Sequence, residues 1–181
     1  MNREEAMALV EENVKNKNLI KHMIAVEACM RALAKHFNED ENLWGLAGLL
    51  HDVDYDSTKD LPENHGLVGA FMLEEKGVDE RIVYAVKAHP GHKECRSKMD
   101  KALFASDPIT GLIVAAALMH PTKKIGNIDG DFVLRRFKEK RFAAGANREQ
   151  IKSCEGLGLS LEEFTGICLQ AMQEAATDLG L

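Results

Sequence analysis

The feature that most constrains the fold of this 181-residue chain is the spacing of its apolar residues. They recur every three or four positions through most of the sequence, which places them on one face of an α-helix. No segment alternates apolar and polar residues as a half-buried strand does. The sequence therefore predicts an all-α protein. We expect helices near residues 3–16, 18–37, 40–53, 62–75, 79–89, 98–120, 129 or 131 to 142, 147–156 and 160–178.

Length and composition fit a single helical domain over residues 1–181 and exclude several classes of protein. The chain is 45% hydrophobic with a formal net charge of -6, so no overall basic field attracts nucleic acid, which is not expected as a partner. Its four cysteines form no C-x-x-C pair, which argues against a disulfide framework or a thiolate zinc site. The first residues lack a secretory signal, and the apolar run 111–119 is shorter than a membrane span. These features predict a cytoplasmic protein with no membrane partner.

The stretch AGLLHDVDYD, residues 47–56, places an imidazole and carboxylates at the edge of the predicted core. Adjacent residues on a helix point about 100° apart, so His51 and Asp52 can face one point only if the helix ends there. Two groups that are costly to bury, beside an apolar helix face, indicate a bound cation. Further side chains of the ligand type stand where the helical pattern expects core residues: His22, His65, His89 and Asp107.

Each of these residues has an ordinary explanation when it is taken alone. A single histidine on an apolar face, such as His22, is usually a hydrogen-bonded core residue. His65 can cap its own helix, and Asp107, before Pro108, can be a turn former or a cap. As a set, imidazole and carboxylate groups from separate helices suit divalent Mn, Fe, Co, Ni or Zn. We therefore predict a metal site formed by His22, His51, Asp52, His65, His89 and Asp107.

The order His…His-Asp…Asp on predicted helices resembles the HD superfamily of metal-dependent phosphohydrolases. The likeness falls on His22, on the pair His51-Asp52 and on Asp107, and covers residues 18–115. It implies an HD-type helical bundle over 18–115 with a C-terminal helical extension over 121–181. The segments HGLVGA and AVKAH resemble the extra histidines of members that hold two metals, which implies that His65 and His89 complete a second metal site.

The resemblance also implies a reaction. Two cations about 3.5–4 Å apart can share a carboxylate, which in relatives is the counterpart of Asp52, and activate a hydroxide that attacks a phosphate ester. We expect a phosphomonoesterase or phosphodiesterase acting on a small phosphorylated molecule, such as a nucleotide or dinucleotide. Many relatives carry a lysine shortly after the HD pair, where this chain has Asp54-Tyr55-Asp56. Asp54 is a candidate catalytic group that transfers a proton or orients a metal-bound water, or equally a helix-end carboxylate that faces solvent.

The segment 121–141 is net positive within an acidic chain. One interpretation is a solvated helix face over an apolar stripe. The other is a cover over the metal site that offers cations to a substrate phosphate, with Lys138 and Lys140 as the first candidates. The apolar stripe that follows, within 147–178, is expected to pack against the core or to form a homodimer surface.

Two other functions are compatible with the same residues. Some members of the superfamily use this ligand set to hold two irons and activate oxygen, which makes an HD-fold di-iron oxygenase an alternative. The second alternative is a non-catalytic binding module that keeps a metal for stability.

Overall fold

The computed structural model describes residues 1–181 and confirms the predicted all-α class, because it contains no β-strand. Eleven α-helices follow one another along the chain. They are α1 (Arg3–Asn13), α2 (Lys17–Phe37), α3 (Glu41–Leu50), α4 (Tyr55–Thr58), α5 (Leu67–Glu75), α6 (Glu80–Ala88), α7 (Lys98–Met119), α8 (Gly130–Lys138), α9 (Arg148–Lys152), α10 (Leu161–Glu174) and α11 (Ala176–Leu179). Short 3₁₀ segments occur at Pro62–Asn64, Ile125–Asn127 and Ser153–Leu157.

The clearest difference from the predicted helices lies between residues 62 and 75. The sequence predicts one helix here, but the chain forms a 3₁₀ turn and then starts α5 at Leu67. The break falls at Gly66, whose φ of 76° is left-handed, a conformation that glycine adopts without steric cost. A Cβ atom at Gly66 would also lie 2.7 Å from Cγ of Pro90. His65 therefore lies in a non-helical connection and not on a helix.

Other predicted boundaries are too long by a few residues. The helix expected to reach residue 142 is α8, which is capped by Asp129 and ends at Lys138. The helix expected over 147–156 is α9 followed by a 3₁₀ segment, and the last predicted helix is divided into α10 and α11.

The two longest helices, α2 and α7, form the centre of the fold. Helix α2 packs against α3, α7 and α10, and α7 also contacts α6, α8 and α9. One continuous apolar cluster extends from Ala6 in α1 to Leu179 in α11. The C-terminal helices therefore share a core with the helices that precede them.

Helix α7 is the one helix long and apolar enough to cross a membrane, with a mean hydropathy of 1.7 over its most apolar window. Of that window, 61% is buried inside the fold. Side chains such as Leu103, Ile109 and Leu112 are fully buried against other helices. The position of α7 in the core accounts for its apolar composition.

Helices α2 and α3 approach each other closely at Gly48. A Cβ atom at Gly48 would lie 2.9 Å from the backbone nitrogen and the Cα of Glu27, so no larger residue fits without movement of the backbone. Helix α3 ends at Leu50, directly before His51. This close packing brings His51, directly after α3, beside His22 on α2.

Candidate metal centre

The structure brings together all the side chains that the sequence analysis selects as metal ligands. They come from α2, from the end of α3, from the connection before α5, from the residue after α6 and from the middle of α7. These residues are His22, His51, Asp52, His65, His89 and Asp107.

Asp52 lies at the middle of this cluster, and its two carboxylate oxygens face different histidines. Oδ2 is 3.5 Å from Nε2 of His51 and 3.7 Å from Nε2 of His22. Oδ1 is 3.2 Å from Nε2 of His65 and 3.4 Å from Nε2 of His89. One carboxylate is thus placed between two groups of ligand atoms.

We call these groups the first and second half of the centre. In the first half, Nε2 of His22 is 3.2 Å from Nε2 of His51 and 3.2 Å from Oδ1 of Asp107. In the second half, Nε2 of His65 is 3.1 Å from Nε2 of His89. The atoms of His22, His51 and Asp107 are close enough to one another to ligate one ion. Nε2 of His65, Nε2 of His89 and Oδ1 of Asp52 lie 3.1 to 3.4 Å apart, which gives the second half the same capacity.

The tautomers of two buried rings test whether a cation fits here. Nδ1 of His51 lies 2.8 Å from the carbonyl oxygen of Gly48, and Nδ1 of His89 lies 2.6 Å from that of Val86. A carbonyl oxygen only accepts, so in each ring Nδ1 donates a proton, and Nε2 carries a lone pair when the ring is neutral, as a metal ligand must be. These lone pairs face the carboxylate of Asp52, which is also an acceptor. A cation between them removes the repulsion, so the residues present fit a divalent metal.

The protonation of the remaining groups follows from their surroundings. Burial lowers the pKa of His51 to about 4, so this ring is neutral near pH 7. Burial also disfavours the charged forms of His22 and His65, but the carboxylates beside them outweigh this effect, raising the pKa of His22 and raising the pKa of His65 to about 9.

The pKa values of the two carboxyl groups, Asp52 and Asp107, shift downward. Burial disfavours the carboxylate of Asp52, but the neighbouring His51, His65 and His89 outweigh it and lower its pKa well below the usual value. Burial likewise opposes ionisation of Asp107, and its neighbours His22 and His51 still lower its pKa. Both acids are therefore ionised at neutral pH, as metal ligands must be.

Asp54 occupies a position that neither predicted role describes. It is 1% exposed, so the expectation of a solvent-facing carboxylate is wrong. Its Oδ1 accepts from Nδ1 of His65 at 2.9 Å, while Oδ2 accepts from the backbone nitrogens of Gly66 at 2.8 Å and Gly69 at 2.7 Å. Because both oxygens are engaged behind the imidazole, the structure does not place Asp54 where a reacting group would lie. Its contacts instead hold His65 and the start of α5.

Thr110 is a residue that the sequence analysis does not select. Its hydroxyl donates to the carbonyl oxygen of Asp107 at 2.9 Å and accepts from Nδ1 of His22 at 3.0 Å. This contact orients the ring so that Nε2 faces the centre. The sequence feature that could have identified Thr110 is its spacing, since it follows Asp107 by three residues and shares its helix face.

The centre opens toward solvent between α2 and α7. The side chains of Asp107 and His22 are 30% and 23% exposed, whereas that of His51 is fully buried. Beside them is a cavity of about 350 Å³, lined by His22, Asp107, Pro108, Gly111, Ala143, Gly145 and Ala146. A second cavity of about 490 Å³ continues along α2 and α7 and shares His22 and Gly111 with the first.

The predicted substrate-binding lysines are not at this opening. Lys138 and Lys140 are exposed and line neither cavity. The reason is that α8 ends at Lys138, and the small residues of the loop 142–146 face the opening in their place. His92, the next histidine after His89, lies outside the centre, with Nε2 3.1 Å from the carbonyl oxygen of Pro62.

Fold and cluster together define an all-α protein with a candidate centre for divalent metal ions. The sequence profile of the HD domain matches residues 19–117, more than half of the chain, and the chain belongs to the HD-domain family. The HD domain defines a superfamily of metal-dependent phosphohydrolases that bind divalent metals. The candidate ligands all lie within the matched residues.

Individual relatives differ in how much of their length the chain covers. It is 29% identical to ribonuclease Y of Sulfurovum sp. (strain NBC37-1) over 136 residues, which is 74% of this chain but 27% of that protein. It is 33% identical to an uncharacterised protein of Methanocaldococcus jannaschii over 161 residues, 82% of this chain and 90% of that protein. It is 37% identical over 73 residues to a tRNA (cytidine(56)-2'-O)-methyltransferase of Thermoplasma volcanium, 40% of this chain and 21% of that protein. The chain thus spans about a quarter of ribonuclease Y and most of the Methanocaldococcus jannaschii protein.

Proposed function

We propose that this protein is a metal-dependent phosphohydrolase that cleaves a small phosphate ester at a centre for two divalent ions. The observation that carries the proposal is the position of Asp52. Its two oxygens face two groups of imidazole nitrogens, and Nε2 of His51 and Nε2 of His89, each opposite a ring nitrogen that donates to a backbone carbonyl, are directed at the same carboxylate. Such an arrangement is stabilised by positive charge on both sides of the carboxylate.

The proposal assigns ligands to each ion. His22, His51, Asp107 and Oδ2 of Asp52 would hold one ion, while His65, His89 and Oδ1 of Asp52 would hold the other. Divalent ions in this position supply Lewis acidity toward a phosphoryl group and lower the pKa of water to near neutrality.

The protein itself would fix and shield this centre. Thr110 orients one imidazole and Asp54 another, so the ligand atoms are held before substrate binds. The buried rings of His51 and His89 close the inner side against water. Substrate would then approach from the side of Asp107 and His22, whose side chains are the most exposed of the centre.

Two observations favour a small ester as the substrate. The cavities beside the centre measure about 350 and 490 Å³, within the range of small-molecule sites. The net charge of -6 gives the chain no overall basic field of the kind that attracts polynucleotides, and its basic segment 121–141 is short. The name of ribonuclease Y states an action on RNA, and it supports the phosphoester class without fixing the substrate of this chain.

The test is metal analysis of protein purified without chelators, followed by phosphate release from a panel of monoesters and diesters with added Mn or Co. We expect about two equivalents of metal and metal-dependent release of phosphate from a nucleotide. Oxygen consumption by the iron-loaded protein without phosphate release would contradict the proposal in favour of the di-iron alternative. Unfolding on metal removal, with no turnover of any ester, would favour a structural role.

A further inference from the structure

Gly111 is a glycine that neither packing nor backbone conformation explains. It lies in the interior of α7, is exposed, and has no positive φ. A Cβ atom added there would meet no heavy atom within 4 Å, whereas one at Gly48 or Gly69 would press on neighbouring atoms at 2.9 Å or 3.2 Å. Glycine in a helix interior makes the helix less stable than alanine would, so the presence of Gly111 in α7 calls for another explanation.

The position of Gly111 relative to the metal centre supplies that explanation. It follows Asp107 by four residues, so it lies one turn further along the same face of α7. It also lines both cavities beside the centre, at the point where they meet next to His22. Any side chain at residue 111 would project into the space that a molecule bound at the centre would occupy.

On one side of Gly111 the wall is the loop 142–146, and this loop is fixed by Arg148. The guanidinium donates to backbone carbonyl oxygens of residues before the loop and within it: Phe137, Glu139, Phe142, Ala143 and Ala146. Ala143 has a φ of 44°, a left-handed conformation that a non-glycine residue adopts at a cost unless its surroundings hold it there. These contacts make the loop a constrained wall of the smaller cavity.

On the other side, the larger cavity combines apolar and cationic character. Val114 and Leu118 of α7 line it, together with Lys21 of α2, which lies beside Gly180, and the neighbouring residues Leu179 and Leu181. Lys21 forms no ion pair with any carboxylate. Such a lining suits an organic group with an apolar face and a hydrogen-bond acceptor, as a nucleoside has.

We propose that Gly111 determines substrate specificity, because the alcohol part of the phosphate ester lies across α7 at this residue while the phosphoryl group is at the metal centre. The inference rests on the proposed phosphohydrolase function. It predicts that the preferred substrate is the phosphate ester of a bulky alcohol of nucleoside size and not the ester of a small alkyl alcohol.

The experiment compares Gly111→Ala and Gly111→Leu with the matched variant Gly166→Ala. Gly166 is an exposed glycine in the interior of α10, its Cβ space is equally open, and it lines neither cavity. The probes are adenosine 5′-monophosphate as the bulky ester and methyl phosphate as the small one. Metal content, Tm and inhibition by inorganic phosphate are measured on the same samples.

Both alanine variants should raise Tm by about 2 °C, because alanine is the better helix former. Gly111→Leu should lower kcat/KM for the nucleotide about tenfold or more, and Gly111→Ala should lower it by a smaller factor. Metal content, inhibition by inorganic phosphate and turnover of methyl phosphate should stay within about twofold of wild type, since these depend on the centre alone. Gly166→Ala should change none of the kinetic values.

If Gly111→Leu hydrolyses the nucleotide with the same kcat/KM as the wild-type protein, the inference is overturned. It is also overturned if the wild-type protein prefers methyl phosphate to the nucleotide. If the wild type hydrolyses neither ester, the proposed function fails separately. The inference is then decided by isothermal titration of the nucleotide into the metal-loaded proteins. Weaker binding by Gly111→Leu than by wild type would support it, and equal affinity or no binding would overturn it.

Discussion

The two halves of the metal centre are built in different ways. In the first half the ligands lie on or directly after the long packed helices α2, α3 and α7, and the partner of His22 is Thr110, a neighbour of Asp107 on the same helix. In the second half, His65 lies in a non-helical connection, and one buried carboxylate, Asp54, orients it. The comparison teaches that packed helices carry the first group of ligands, with the hydroxyl of Thr110 orienting His22, whereas the second group depends on a hydrogen-bonded loop.

The largest effect is expected at Asp52, because it belongs to both halves. Asp52→Asn removes the negative charge that faces four imidazoles, so both ions should bind weakly and turnover should fall by about three orders of magnitude. Elemental analysis and phosphate release measure the two effects. Asp60→Asn, which changes an exposed carboxylate in the neighbouring segment, is the control and should behave as wild type. Full metal content in Asp52→Asn would contradict the shared role.

Single histidine variants separate the halves. We expect His22→Ala to lose the ion of the first half and His65→Ala to lose that of the second, each leaving about one equivalent of metal and lowering turnover about a hundredfold or more. His36→Ala, an exposed histidine on α2, should keep both ions. Loss of both ions in His65→Ala would show that the halves do not bind metal independently.

Asp54→Asn tests the loop that supports the second half. The amide oxygen can still accept from Gly66 and Gly69, but the amide nitrogen would then face Nδ1 of His65 and move its proton to Nε2, which points at Asp52. Affinity for the second ion should fall about 10- to 100-fold, with a stability loss of about 1–3 kcal/mol. Metal titration and thermal unfolding measure these changes. Asp56→Asn, a nearby carboxylate that accepts from the backbone of Lys15, is the control.

Thr110→Val makes the corresponding change in the first half and should have a smaller effect. The side chain keeps its shape but no longer accepts from Nδ1 of His22, so affinity for the first ion should fall about tenfold. Thr122→Val removes a similar contact with His120, 2.8 Å long and outside the centre, and should leave metal binding unchanged. Equal metal affinity in Thr110→Val and wild type would mean that packing alone orients His22.

The smallest effect is expected from the double substitution Lys138→Ala and Lys140→Ala. Both side chains are exposed and line neither cavity beside the centre, so kcat/KM should stay within about twofold of wild type. A large rise in KM would show that these lysines contact substrate, in agreement with the second interpretation of the segment 121–141.

The same contrast explains how far the sequence could predict the structure. Helical periodicity and ligand order were sufficient to select His22, His51 and Asp107, because helix faces fix the direction of their side chains. The break at Gly66 could not be predicted, because proline at the start of a helical pattern is as typical of a continuous helix. The burial of Asp54 and the position of the loop 142–146 depend on tertiary contacts that no local pattern encodes.

The central claim is that two cations lie on opposite sides of one carboxylate. Anomalous scattering from crystals of the protein loaded with Mn or Co tests it most directly. The account predicts two peaks, one within bonding distance of Nε2 of His22 and His51 and one within bonding distance of Nε2 of His65 and His89, with Asp52 between them. A single peak, or peaks away from Asp52, would contradict it.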